Sequence, residues 1–177
     1  MSRIDVLKTY KIFIGGQFPR TESGRFFPLK NKNGDLVANI CLSSRKDFRN
    51  AVVCARNSQK KWENTTSLNK GQILYRIAEI LEGRKLQFEK ELMMTGSSKA
   101  IAKREVEQSI DRLIYYAGWS DKFQQIFSSV NPVGSNHFNF SVPQAAGVVS
   151  IIAPKEFPLL GLISIILSTA FLCDNFS

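Results

Sequence analysis

The run Gly147-Val148-Val149-Ser150-Ile151-Ile152-Ala153, followed by Pro154-Lys155-Glu156-Phe157-Pro158-Leu159-Leu160, constrains the fold more than any other stretch of this chain. Its first half is small and β-branched, the composition of a strand buried on both faces. Two prolines bracket a turn behind it, and an apolar stretch of helical length follows. Strand, turn and covering helix make the first step of a parallel α/β sheet of the dinucleotide-binding kind. In such sheets a ligand sits at the carboxyl end of the strand.

The apolar stretch has a competing reading as a membrane anchor. Phe157 to Cys173 is uncharged, flanked by Lys155-Glu156 and Asp174. At helical rise it reaches about 25 Å, the short limit for a bilayer span. It contains Pro158, Gly161, Ser164, Ser168 and Thr169, and neither end carries a Trp or Tyr. A helix packed on a sheet fits better, because an anchor gives the preceding apolar strand no purpose.

Upstream, the punctuation is legible. Lys11–Ile14, Gly15-Gly16 and Gln17-Phe18 read as strand, tight turn and strand. Asn33-Gly34 predicts a hairpin between Phe26–Leu29 and Leu36–Ile40. Ser44-Arg45-Lys46-Asp47 reads as a capping box, with Phe48, Ala51, Val52, Ala55 and Trp62 behind it as one buried stripe. A second helix is expected from Leu68 to Met94, with Ile73, Leu74, Ile77, Ile80 and Leu81 inward and Gly83 as a break or bend. A third is expected from Lys99 to Phe127 on the stripe Val106, Ile110, Leu113, Ile114, Ala117 and Asp121. Glu105, Glu107 and Asp111 beside Lys103, Arg104 and Arg112 read as surface charge. Phe138, Phe140 and Val142 alternate with His137, Asn139 and Ser141, a strand with one apolar face.

The chemistry-bearing residues are sparse. Lys and Arg are scattered along helix faces, so the net charge of +9 reads as a solvated basic surface rather than a nucleic-acid site. Cys41, Cys54 and Cys173 show no metal spacing and no C-x-x-C, which favours reduced thiols in a cytoplasmic chain. His137 is the sole histidine, which removes histidine metal clusters and argues against a hydrolytic triad. No apolar leader follows Met1. Ser97-Ser98-Lys99 reads as a helix boundary rather than a serine-lysine pair. No phosphate-binding glycine motif or nucleophile elbow is present.

Several strings, in order, resemble the N-terminal part of an aldehyde dehydrogenase. Phe13-Ile14-Gly15-Gly16-Gln17-Phe18 is similar to the family's F-I-N-G-x-F opening. Ser23-Gly24-Arg25 and Asn31-Lys32-Asn33-Gly34-Asp35 are similar to its S-G-K and N-P-A-T-G-E turns, and Asp47 to Trp62 to its first long helix. Tyr115-Tyr116-Ala117-Gly118-Trp119-Ser120-Asp121-Lys122 resembles Y-Y-A-G-W-A-D-K, and Gly147 to Leu159 resembles G-V-V-x-x-I-x-P-W-N-F-P-L. Ser44–Val52, Arg104-Glu105-Val106-Glu107 and Pro154–Leu160 resemble, more narrowly, the second module of the two-module aldehyde dehydrogenases, family sixteen, which can be non-catalytic.

The resemblance implies a truncated α/β fold: N-terminal hairpins, amphipathic helices, an oligomerisation-type hairpin and the first β-α unit of a Rossmann-like sheet. It divides the chain into a helical part of the cofactor domain (1–126), the hairpin (127–143) and an incomplete β-α unit (144–177), with the catalytic domain absent. Ile152, Ala153, Pro154 and Lys155 would line the nicotinamide side of NAD or NADP. Glu156 occupies the position of the family's oxyanion-stabilising asparagine. The cysteine nucleophile, general-base glutamate, ribose contact and glycine-rich turn lie beyond Ser177 in the family. The chain is thus expected to have no catalytic residue and no metal site, to bind no cofactor by itself, and to be inactive. Its expected partners are a second copy or a complete aldehyde dehydrogenase. The uncovered strand and helix suggest self-association, relieved by removing the residues after Pro143.

Overall fold

The chain's first sheet is organised by the turn at Asn33-Gly34. The computed structural model describes residues 9–143, 145 and 147–172. Strands β1 (Thr9–Tyr10), β2 (Phe26–Lys30) and β3 (Leu36–Cys41) lie in the order β1-β3-β2. The β2–β3 hairpin is antiparallel, with Phe27 opposite Ile40 and Leu29 opposite Ala38, while β1 runs parallel to β3. In the turn, Asn31 Oδ1 accepts from the N–H groups of Asn33 and Asp35, both at 2.9 Å. Gly34 takes a φ of +89°, which costs a residue without Cβ little. Pro28, lacking an N–H, falls on the edge strand β2. The expected strand pair at 11–18 shrinks to one bridge, Ile14 to Gln17. Thr9 and Tyr10 form the ladder strand instead, because they are the residues that lie along β3.

Helix α1 (Arg45–Glu63) starts at the expected box: Ser44 Oγ accepts from Asp47 N at 3.2 Å, and Asp47 Oδ2 accepts from Ser44 N at 2.7 Å. Its expected apolar stripe is not buried. Phe48 and Ala55 are exposed, Trp62 is half-buried, and Asp47 is the buried residue of the helix. Among the described residues no other element packs extensively on α1, so periodicity had nothing to bury against.

The core gathers on α4 (Lys99–Trp119), against which α2 (Ser67–Gly83), α3 (Lys85–Met94) and α6 (Pro158–Leu172) all pack. The second expected helix is divided at Gly83-Arg84 into α2 and α3. Leu74, Ala78 and Leu81 of α2 meet Leu92 of α3, Ala102, Val106, Ile110 and Leu113 of α4, and Leu167 of α6. Ile73, Ile77 and Ile80 are exposed, one row away from the buried Leu74-Ala78-Leu81 line. On α4, Ile114 is likewise exposed, and Asp121 lies outside the helix.

Helix α4 stops at Trp119 rather than running to Phe127. Ser120 Oγ donates to the Ala117 carbonyl at 2.8 Å, and Gly71 of α2 crosses at this point. A Cβ on Gly71 would overlap Ser120 Oγ and lie 2.9 Å from Ala117 O. Short α5 (Phe123–Phe127) then leads into a second sheet, β4 (Ser129–Asn131) antiparallel to β5 (Asn139–Ser141), with Val130 opposite Phe140. The run Val148–Ala153, expected as a strand, has no ladder partner among the described residues and is not a sheet strand. A parallel strand exists only through its neighbours. The turn and helix behind it form as expected.

Candidate functional site

The residues singled out in the sequence fall together on the approach to α6. Ile152 is 90% exposed, and Ala153, Pro154, Lys155 and Glu156 are exposed beside it. The path is tightly constrained. Phe157 has a φ of +48°, a left-handed conformation unusual for a bulky residue. Its carbonyl accepts from Gly161 N at 2.7 Å. Pro154 lies so close to Gly161 that a Cβ there would overlap Pro154 Cγ and sit 2.9 Å from Cδ. Pro158 is the first residue of α6, where the missing N–H costs nothing.

Beneath the turn lies a residue that the sequence reading assigned to the surface. Glu105 of α4 is 1% exposed, and its Oε1 accepts from Leu159 N at 2.8 Å and Leu160 N at 3.3 Å. A signal was available: Ala102, Glu105, Val106, Ser109, Ile110 and Leu113 share the inward spacing of α4, and all are buried. Glu107 does behave as surface charge, facing Lys103 at 3.7 Å.

Other candidates do not converge on this turn. Cys41 and Cys54 are free thiols, and Cys54 Sγ packs near Gly15. Cys173 lies outside the described residues. His137 is exposed on the β4–β5 connection, its Nδ1 2.9 Å from Ser135 Oγ. Ser98 caps α4, accepting from Ile101 N at 3.4 Å, which supports the helix-boundary reading. Among the described residues no three His, Cys, Asp or Glu side chains cluster to hold a metal. No helix among them is long and apolar enough to cross a membrane.

A turn feeding an apolar helix, behind a bundle centred on α4 and a small β4–β5 hairpin, is an arrangement shared with known proteins. The profile of the aldehyde dehydrogenase family matches residues 20–176. The chain belongs to this family. Human mitochondrial 10-formyltetrahydrofolate dehydrogenase is 27% identical over 166 residues, covering 90% of this chain and 18% of that protein. Retinal dehydrogenase 2 of Gallus gallus is 32% identical over 160 residues, 87% of this chain and 30% of that protein. The chain therefore spans less than a third of either relative's length.

Solved aldehyde dehydrogenases share the fold. The salicylaldehyde dehydrogenase of Pseudomonas putida G7, complexed with salicylaldehyde, superposes with a TM-score of 0.87 at 18% identity, over 94% of this chain and 34% of that one. The NAD+ complex of the Bacillus cereus aldehyde dehydrogenase gives 0.85 at 23% identity, over 92% and 34%. This aldehyde dehydrogenase chain thus corresponds to an N-terminal part of the module, and the expected fold class holds. Ile152 to Glu156 lie on one exposed segment leading into α6.

Proposed function

We propose that this chain is a non-catalytic N-terminal portion of an NAD(P)-dependent aldehyde dehydrogenase-like module. The observation that carries this reading is Glu156, exposed on the turn before α6. Resemblance places an asparagine there in active relatives. An amide N–H stabilises the oxygen that becomes negative when a thiolate attacks an aldehyde. An ionised carboxylate has no such donor and repels the developing charge. The likeness of Pro154–Leu160 to the second module of the two-module members, which can be non-catalytic, supports the same conclusion.

The cofactor surface offered by the described residues does not fit a whole dinucleotide. Ile152 to Lys155 offer one exposed segment outside any sheet, where by resemblance the nicotinamide side would lie. The N–H groups of Leu159 and Leu160, which a phosphate could use at a helix start, are already taken by Glu105. No hydride-transfer step is assigned to this chain. Calorimetric titration is the test: NAD and NADP should bind no tighter than about millimolar, near −4 kcal/mol. Micromolar binding would overturn the reading.

A role in assembly accompanies the lack of catalysis. Val130, Phe138, Phe140 and Val142 expose an apolar face on the β4–β5 hairpin, which favours pairing with a second copy or a complete aldehyde dehydrogenase. The free thiols Cys41 and Cys54 support a reducing, cytoplasmic setting.

A further inference from the structure

Helix α6 begins without the side chain that ordinarily starts a helix. The second and third N–H groups of a helix need an acceptor, usually a Ser, Thr, Asp or Asn just before it. Here the residue before Pro158 is Phe157, whose side chain has no acceptor. The N–H groups concerned belong to Leu159 and Leu160. Both donate to Glu105 Oε1, from a residue 54 positions upstream of Leu159. The carboxylate thus replaces a local cap with a tertiary one, and it is buried where it does so.

We propose that Glu105 is the positioning residue of the 154–157 turn, fixing the direction in which Lys155 and Glu156 are presented. A negative group at a helix start complements the dipole, and a charged acceptor makes the stronger hydrogen bond. The turn needs such a hold. An aromatic residue at positive φ persists only where its surroundings over-determine it, and Phe157 does so between Pro158 and the close Pro154–Gly161 contact. Releasing Glu105 frees two first-turn N–H groups, so α6 frays from its start and the turn relaxes. The Pro154–Gly161 contact alone does not bond those groups.

The latch stands on this geometry. Only the roles of Lys155 on the nicotinamide side and Glu156 at the oxyanion position rest on the proposed function, and the experiment reads the latch with no cofactor present. Amide hydrogen exchange by NMR is measured on the full chain, on Glu105→Met and on Glu105→Gln, alongside the rate of tryptic cleavage after Lys155. In the unaltered chain the Leu159 and Leu160 amides should be protected despite lying in a first turn. Glu105→Met should accelerate their exchange by about tenfold, the scale of a lost cap, and hasten cleavage after Lys155. The amides of Leu74, Ile110 and Leu113 should hold. Glu105→Gln keeps an acceptor oxygen and should recover most of the protection.

Unprotected Leu159 and Leu160 amides in the unaltered chain would overturn the proposal. So would a uniform rise through α2 and α4 in both variants, or no change in Glu105→Met. Should Glu105→Met fail to fold, protection in the unaltered chain together with the Glu105→Gln pattern decides.

Discussion

Asp47 shows how one carboxylate can join two parts of the chain. It accepts from Ser44 N at 2.7 Å, from Thr21 Oγ1 at 2.6 Å and from Glu22 N at 3.3 Å, tying the 21–25 turn to the start of α1. The Ser44 backbone bond, then the Thr21 hydroxyl, lower its pKa from 3.8 to about 2, against the opposing effect of burial. The folded chain therefore favours the ionised form. Its stabilising contribution is complete above pH 3.8 and is lost as pH falls through about 2. Urea unfolding at a series of pH values should find Asp47→Asn less stable at neutral pH, with the difference closing across that window; a constant difference would remove Asp47 from this role. Replacing its capping partner, Ser44→Ala, should cost about 1 kcal/mol in the same assay. The box at Ser44 and Asp47 was legible because its partners are three residues apart. Glu105 was misread as surface charge because its partners come from a helix far along the chain, although its spacing beside Ala102 and Ser109 marked the buried face.

At the scale of elements, the crossing of α2 and α4 depends on Gly71. Gly71→Ala would press a methyl into Ser120 Oγ and Ala117 O, both fixed by the hydrogen bond that ends α4. Thermal unfolding should show a loss of about 1–3 kcal/mol. Gly118→Ala is the matched control: its Cβ meets nothing within 4 Å, and alanine should stabilise α4 by about 0.5–1 kcal/mol. A neutral Gly71→Ala would mean that the helices slide apart without strain. Helix identities were legible from spacing and caps, but the faces less so. Leu74 and Leu81 turn inward while Ile73, Ile77 and Ile80 do not, because the partner helix, not hydrophobicity alone, selects the row. The Val148–Ala153 strand failed for a related reason: strand character belongs to a pair, and sequence shows only one member.

For the whole molecule, α6 is less isolated than its apolar sequence suggested. Leu167 is 1% exposed and belongs to the core with Val106 and Ile110, so removing the residues after Pro143 would uncover α4 and strip Glu105 of its partners. Contrary to the sequence expectation, that deletion should lower stability and solubility. The full chain should still self-associate in light scattering, because Val130, Phe138, Phe140 and Ile152 remain exposed. A monomeric full chain would count against the assembly role. The overall fold was legible as far as its family strings extended, whereas the turn before α6 was legible in composition but not in its hold by Glu105. The central claim, that this aldehyde dehydrogenase chain does not oxidise aldehydes, is tested most directly by following NAD(P)H formation with an aldehyde and either NAD or NADP. The purified protein and Glu156→Asn should both match the no-enzyme control, because restoring the amide alone supplies no nucleophile at this turn. Aldehyde-dependent turnover above that control, by either protein, would contradict the account.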